Sequence, residues 1–180
     1  DNPLYTRKGS QFMFSVAATP PWSLWDGKDY KNMSDQDEAK FRMIEYHKWK
    51  FKAKIFSPLA PLTVKRTPVL MTRVEYGFLG SYNKYKKSPF ETFYMGGDGM
   101  SGYSSTYATE TIGLRGYENG SIAGNGGYNS YGYAYSRLSM ELRYPFLLEP
   151  SSTIYGLVFV EAGNAWRDLK DFNPFQLKRS

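Results

Sequence analysis

Lys48-Trp49-Lys50-Phe51-Lys52-Ala53-Lys54-Ile55 decides the fold, because basic and apolar residues alternate through it without a break. Successive side chains of an extended chain point to opposite faces. Trp49, Phe51, Ala53 and Ile55 therefore share one side, and the four lysines share the other. On a helix the same residues would scatter charge around the whole circumference. The segment is a strand.

The same period of two recurs on both sides of that stretch. Phe12, Phe14 and Val16 alternate with Gln11, Met13 and Ser15. In Leu70–Phe78, Leu70, Thr72, Val74, Tyr76 and Phe78 oppose Arg73, Glu75 and Gly77. Leu138-Ser139-Met140-Glu141-Leu142-Arg143-Tyr144 alternates again, and Ile154–Trp166 is apolar on both faces until Glu161. Most of these five predicted strands have about 8–12 residues, enough to cross a bilayer at a tilt.

A soluble sandwich also alternates, turning its apolar face to a core. The connections separate the cases. They run long (19–44), short (58–68), very long (81–133) and short (147–152). A transmembrane barrel has long outer loops and short inner turns in this way. Pro58, Pro61 and Pro68 mark one short turn, and Pro145 and Pro150 bracket the other. The expected fold class is all-β: part of an antiparallel transmembrane β-barrel, about five consecutive strands with a long loop folded inward. Five strands cannot close a barrel, since single-chain bacterial barrels start at about eight, and open edges in lipid leave backbone groups unsatisfied. Residues 1–180 are therefore expected to be one partial barrel domain of a longer protein.

Composition agrees with a membrane interface. Aromatic residues make up 18% of the 180-residue chain, with 16 Tyr, 12 Phe and 4 Trp. Amphipathic rings in such numbers suit the boundary between water and lipid. The net charge of +6 is interleaved with apolar residues and forms no block or helix face, which argues against nucleic acid. There is no cysteine, hence no disulfide and no thiolate metal site. No apolar run reaches the length of a spanning helix. Asp1-Asn2-Pro3-Leu4 does not read as the start of a signal peptide. Ser34–Tyr46 carries an N-cap candidate, early acids and later bases, which predicts a short helix in the first long loop.

Signatures of chemistry are weak. Gly97-Asp98-Gly99-Met100-Ser101-Gly102 has the letters of a dinucleotide fingerprint, but Tyr-Ser-Ser-Thr-Tyr follows where a helix is needed. His47 is the only histidine, so a triad or histidine metal site lacks its second member. No Gly-x-Ser-x-Gly elbow exists. The sequons Asn32-Met33-Ser34 and Asn119-Gly120-Ser121 are accidental matches in a bacterial barrel. The expectation is a protein that is not an enzyme and takes no cofactor and no metal.

Arg115 stands out in Ile112-Gly113-Leu114-Arg115-Gly116-Tyr117, an apolar and cationic knot within a Gly/Ser/Tyr/Asn-rich loop (96–133). Glu141 lies on the polar face of its strand, and Glu161 is the one acid in an otherwise apolar strand. An arginine folded into a barrel lumen would reach both carboxylates, and bidentate pairing there is stronger than at a free surface.

These residues carry a resemblance. The chain resembles the BamA family of outer-membrane protein insertases, whose sixth outer loop has an aromatic-x-Gly-Gly element followed by Val-Arg-Gly-Phe/Tyr. Here Phe93-Tyr94-Met95-Gly96-Gly97 precedes Leu114-Arg115-Gly116-Tyr117, with a longer insertion between. The family's following strands contain Ser-Leu-Glu and Phe-x-Asp-x-Gly-x-x-Trp. Ser139-Met140-Glu141 and Phe159-Val160-Glu161-Ala162-Gly163-Asn164-Ala165-Trp166 match in order, with Glu161 in place of Asp. Arg7-Lys8-Gly9-Ser10 and the strands at 48–56 and 70–80 are similar to those upstream.

The resemblance implies roughly the ninth to thirteenth strands of a barrel of about sixteen, without the POTRA domains and the first and last strands. It gives Leu114, Arg115, Gly116 and Tyr117 the role of a motif docked in the lumen, with Glu141 and Glu161 as partners of the arginine. It implies the bacterial outer membrane as location and insertion of outer-membrane proteins, as the central barrel of the assembly machinery, as function. Implied partners are unfolded outer-membrane protein clients, accessory lipoproteins, outer-membrane lipid and lipopolysaccharide. The alternative is a related two-partner secretion or translocation/assembly module barrel that moves polypeptides across the membrane.

Overall fold

The computed structural model describes residues 5–34, 38–99, 110–122, 131–149 and 151–179. The main sheet is built from β1 (Gly9–Ala18), β2 (His47–Pro58), β3 (Val69–Gly80), β6 (Ala134–Glu149), β7 (Ser152–Trp166) and the two-residue β8 (Lys178–Arg179). Its order is β1-β2-β3-β6-β7-β8, and every neighbouring pair is antiparallel. Within the loop from β3 to β6, β4 (Phe93–Met95) and β5 (Glu110–Ile112) form a separate parallel pair.

Register sorts the side chains into two faces. Gln11, Lys54, Arg73, Ser139 and Glu161 stand opposite one another in one row. Met13, Lys52, Glu75, Arg137 and Gly163 form the next row on the same face. Rows on the other face are apolar, for example Ile55, Thr72, Met140 and Val160.

Exposure runs opposite to that of a soluble sheet. Phe14, Trp49, Leu142 and Val158 are 65%, 42%, 44% and 70% exposed, whereas Lys48, Glu141 and Glu161 are 4%, 4% and 1% exposed. Hydrophobic burial therefore does not hold the apolar face together in water. A face of this kind is stable only where a non-aqueous medium covers it.

Aromatic residues frame the apolar face. Val16, Trp49, Phe78, Ala134 and Trp166 lie at one level of the register, and Phe172 packs on Phe78 and Trp166 with ring centroids 4.9 and 4.8 Å away. At the other end Tyr144 and Phe146 pack edge to face at 5.5 Å. Ten residues separate Ala134 from Tyr144. At about 3.3 Å per residue that is about 33 Å of strand. Tilted by about 40°, the strand spans about 25 Å, the height of a barrel's apolar band.

Some sequence expectations are corrected. The helix predicted over Ser34–Tyr46 is a single turn, Glu38–Phe41, and residues 35–37 lie outside those described. Glu45 leaves the helical pattern because its carboxylate accepts from the backbone N–H and hydroxyl of Ser23, at 2.8 and 2.6 Å. The last short turn is tighter than 147–152, since pairing continues to Glu149↔Ser152 past an irregularity at Pro145/Leu147. The second half of the fingerprint-like motif (Met100-Ser101-Gly102) falls outside the described residues, as does the Tyr-rich run after it. Among the described residues no helix is long and apolar enough to cross a membrane, which says nothing of strands.

Candidate functional site

The candidate site is the polar face together with the loop laid upon it. The main hydrophobic cluster lies between the two: Phe93, Met95, Ile112, Leu114 and Ile122 from the loop against Leu79, Tyr135 and Ala165 from the sheet. Each loop side chain here is at most 4% exposed. Complete burial of one such side chain contributes about 1.5–3 kcal/mol, so apolar packing supplies most of the gross attachment.

Two glycines make room for it. A Cβ at Gly77 would press into the Tyr135 ring and come within 2.8 Å of Phe93 Cζ. A Cβ at Gly163 would occupy the space taken by the Met95 methyl group. Backbone bonds join the loop to the sheet: Phe93 and Gly132 exchange N–H···O bonds of 2.9 and 2.7 Å, and the Tyr133 N–H donates to Trp166 O at 2.9 Å. Gly96 and Gly97, with φ of +129° and +72°, turn the chain so that the Leu114 N–H reaches Gly97 O at 3.0 Å.

Leu114 is wholly buried in the cluster, and Arg115 comes next, over β6 and β7. Its guanidinium lies 3.6 Å from Glu141 Oε1 and 4.0 Å from Glu161 Oε1, and stacks on the Phe159 ring at 4.2 Å. Gly116 takes φ +80°, which reverses the chain so that the Tyr117 hydroxyl donates to Arg179 O at 2.6 Å.

The pairing is not the bidentate clamp expected from sequence. The Arg115 side chain stays 45% exposed and makes no charged contact shorter than 3.6 Å. Its firmest bond is its backbone N–H, which donates to Glu161 Oε2 at 3.1 Å. Shorter guanidinium contacts come from residues that sequence reasoning did not single out. Arg137 donates to Glu161 Oε1 at 2.9 Å, Ser139 Oγ donates to the same oxygen at 3.2 Å, and Arg143 donates twice to Glu141 Oε2 at 2.7 and 3.1 Å. Their parity was the available signal, since Arg137, Ser139, Glu141 and Arg143 share one face of β6.

A second ionic anchor sits nearer the long-loop end. Glu110 of β5 lies 2.9 Å from Lys48 Nζ and 3.1 Å from Lys50 Nζ, and Glu91 lies 3.1 Å from Lys48. Burial by itself would raise the Glu110 carboxyl, but the two lysines outweigh it and hold the carboxyl below its ordinary value. Between loop and sheet is a cavity of about 360 Å³, bordered by Lys52, Arg73, Glu75, Arg115 and Arg137. Among the described residues no group of three His, Asp or Glu could hold a metal.

A bare apolar side, a charged side filled by the chain's own loop, and strands of membrane-crossing length are what a barrel wall requires. No curated protein and no solved structure matches the chain. Residues 3–180 match the Omp85 superfamily domain, a match that takes in every strand of the sheet. The chain belongs to the Omp85 superfamily, a family of the bacterial outer membrane.

Proposed function

We propose that this chain is part of the barrel of a BamA-type insertase, which folds and inserts outer-membrane proteins without covalent chemistry or a cofactor. The observation that carries the reading is the inverted sheet: apolar side chains stay exposed while lysines and glutamates are covered by the loop. Superfamily membership supports clients of the outer-membrane protein kind. In this proposal the apolar face meets hydrocarbon and the polar face lines the lumen. The contacts of Arg115 with Glu141 and Glu161 then fix the loop inside the barrel. Accessory lipoproteins and outer-leaflet lipopolysaccharide belong to the same reading. The loop on the polar face also favours a second reading, in which it plugs a transport pore until a secreted polypeptide passes.

Depleting the full-length protein in cells and measuring heat-modifiable, folded outer-membrane proteins separates the two. An insertase predicts a broad loss of folded barrels. Normal barrel levels with one or a few secreted polypeptides trapped inside the outer membrane would refute it in favour of transport.

A further inference from the structure

A large cleft among the described residues lies away from the docked loop motif, where loop segments meet beyond the strand ends. It has a volume of about 1070 Å³ and is lined from 30–34, 40–41, 84–90, 131–133 and 167–171. Its wall combines cations with aromatic rings. Lys84 Nζ lies 4.8 Å from the centre of the Tyr85 ring, Arg167 lies 5.4 Å from Tyr131, and Lys87 lies 5.5 Å from Tyr133. Lys31 and the buried Lys40 add two more positive charges, against the carboxylates of Asp168 and Asp171.

Among the described residues neither Lys84 nor Arg167 forms an ion pair with a carboxylate; the rings hold them. A cation resting on an aromatic face keeps its outward side available for an anion. Lys87 does pair with Asp168, at 3.3 Å with both side chains 45% exposed, and such a surface bridge contributes little and is readily exchanged. The Asp168 carboxyl is held below its ordinary value by the Lys170 N–H and by Lys87, so it stays an acceptor. The volume slightly exceeds the range of about 300–1,000 Å³ that holds small ligands.

We infer that this cleft binds a phosphorylated saccharide. Excess cations meet the phosphate, the exposed Tyr85 ring and the half-buried Tyr131 and Tyr133 rings give the sugar apolar surface beside those cations, and two carboxylates accept from its hydroxyls. A bare polyanion would not need the rings or the carboxylates. The cleft lies just beyond the aromatic level of Trp49, Phe78 and Trp166, at the end that carries the long loops. The inference rests on the outer-membrane reading, in which lipopolysaccharide is a partner, and adds where its phosphorylated saccharide would sit; its readout is binding, so it can fail while barrel assembly stands.

The test is calorimetric titration of the full-length protein in detergent micelles. Three probes are used: intact lipopolysaccharide, its deacylated phosphorylated saccharide, and that saccharide after phosphatase treatment. The deacylated saccharide is expected to bind, and removing its phosphates to weaken binding more than about tenfold, as loss of charge-assisted contacts requires. The double variant Lys84→Ser/Arg167→Ser should lose a similar factor, while Lys65→Ser/Arg66→Ser in the β2–β3 turn should change nothing. Tighter binding of the intact glycolipid would identify the ligand as membrane-anchored, and equal binding would identify it as a free saccharide. Absence of binding, equal affinity without phosphate, or an unaffected Lys84/Arg167 variant with normal heat-modifiability overturns the inference.

Discussion

Glu161→Gln is predicted to loosen the loop more than Arg115→Ala, although Arg115 is the conspicuous residue of the motif. Glu161 is 1% exposed and accepts on both oxygens: Oε1 takes Arg137 and Ser139, and Oε2 takes the Arg115 N–H. A glutamine has one acceptor, so its amide N–H₂ must face either the guanidinium and hydroxyl or the backbone donor. Arg137, 13% exposed, would keep only Glu75 at 4.0 Å. Only the Arg115 N–H bond crosses from loop to sheet at this carboxylate, and losing a hydrogen bond to a charged group costs about 1.5–3 kcal/mol, a shift of about ten- to a hundredfold in the docked-to-free ratio of the loop. Arg115→Ala removes a half-exposed cation with pair distances of 3.6 and 4.0 Å. The exposed pairing contributes about 0–1 kcal/mol, and the stack on Phe159 about 0.5–1 kcal/mol. Its shift is then about two- to thirty-fold. Hydrogen–deuterium exchange at the Gly96 and Leu114 amides, both bonded within the loop, reads the opening directly. Equal or greater exchange in Arg115→Ala would refute the assignment of the anchor to Glu161.

Three further outcomes follow from the geometry. Val160→Arg, in the row of Ile55, Thr72 and Met140 midway between the aromatic levels, should cost about 2–4 kcal/mol in urea titrations of the protein in lipid vesicles; a change near zero would remove that face from hydrocarbon. Gly77→Ala overpacks the Tyr135–Phe93 contact, whose ring centroids are 4.7 Å apart, and should destabilise the loop by about 1–3 kcal/mol, seen as faster proteolysis between β4 and β5. The Glu110 anchor depends on pH: its docked carboxyl titrates below its free value, so its stabilisation is complete above about pH 4.3 and is lost as pH falls through the docked value. Exchange at β5 amides should rise at low pH in the wild type, and Glu110→Gln should flatten that dependence.

The long strands were legible because each carries a period of two over many residues, and the alternating gap lengths are the pattern from which a barrel wall was expected over a sandwich. The Lys48–Ile55 stretch alone set which side is charged. Arg115, Glu141 and Glu161 were legible as a group because a charge in an apolar strand or a glycine-rich loop needs a partner. Three features were not legible. The roles of Arg137 and Ser139 depend on the β6–β7 register, which sequence does not fix, and Arg143 turns along β6 to Glu141. The hollows at Gly77 and Gly163 depend on which large side chain arrives from a loop dozens of residues away. The helix over 34–46 failed because Glu45 gains more from Ser23 than from continuing a short, exposed turn.

The central claim is the inversion itself, hydrocarbon on one face and wet charge on the other. Residues 1–180 contain no cysteine, so a single cysteine placed among them is their one site for a spin label. In full-length protein in vesicles, labels at Met140, Val158 and Val160 should relax with oxygen and resist a water-soluble nickel chelate, and labels at Lys52, Arg73 and Ser139 should do the reverse. Equal access of the chelate to both sets would contradict the account.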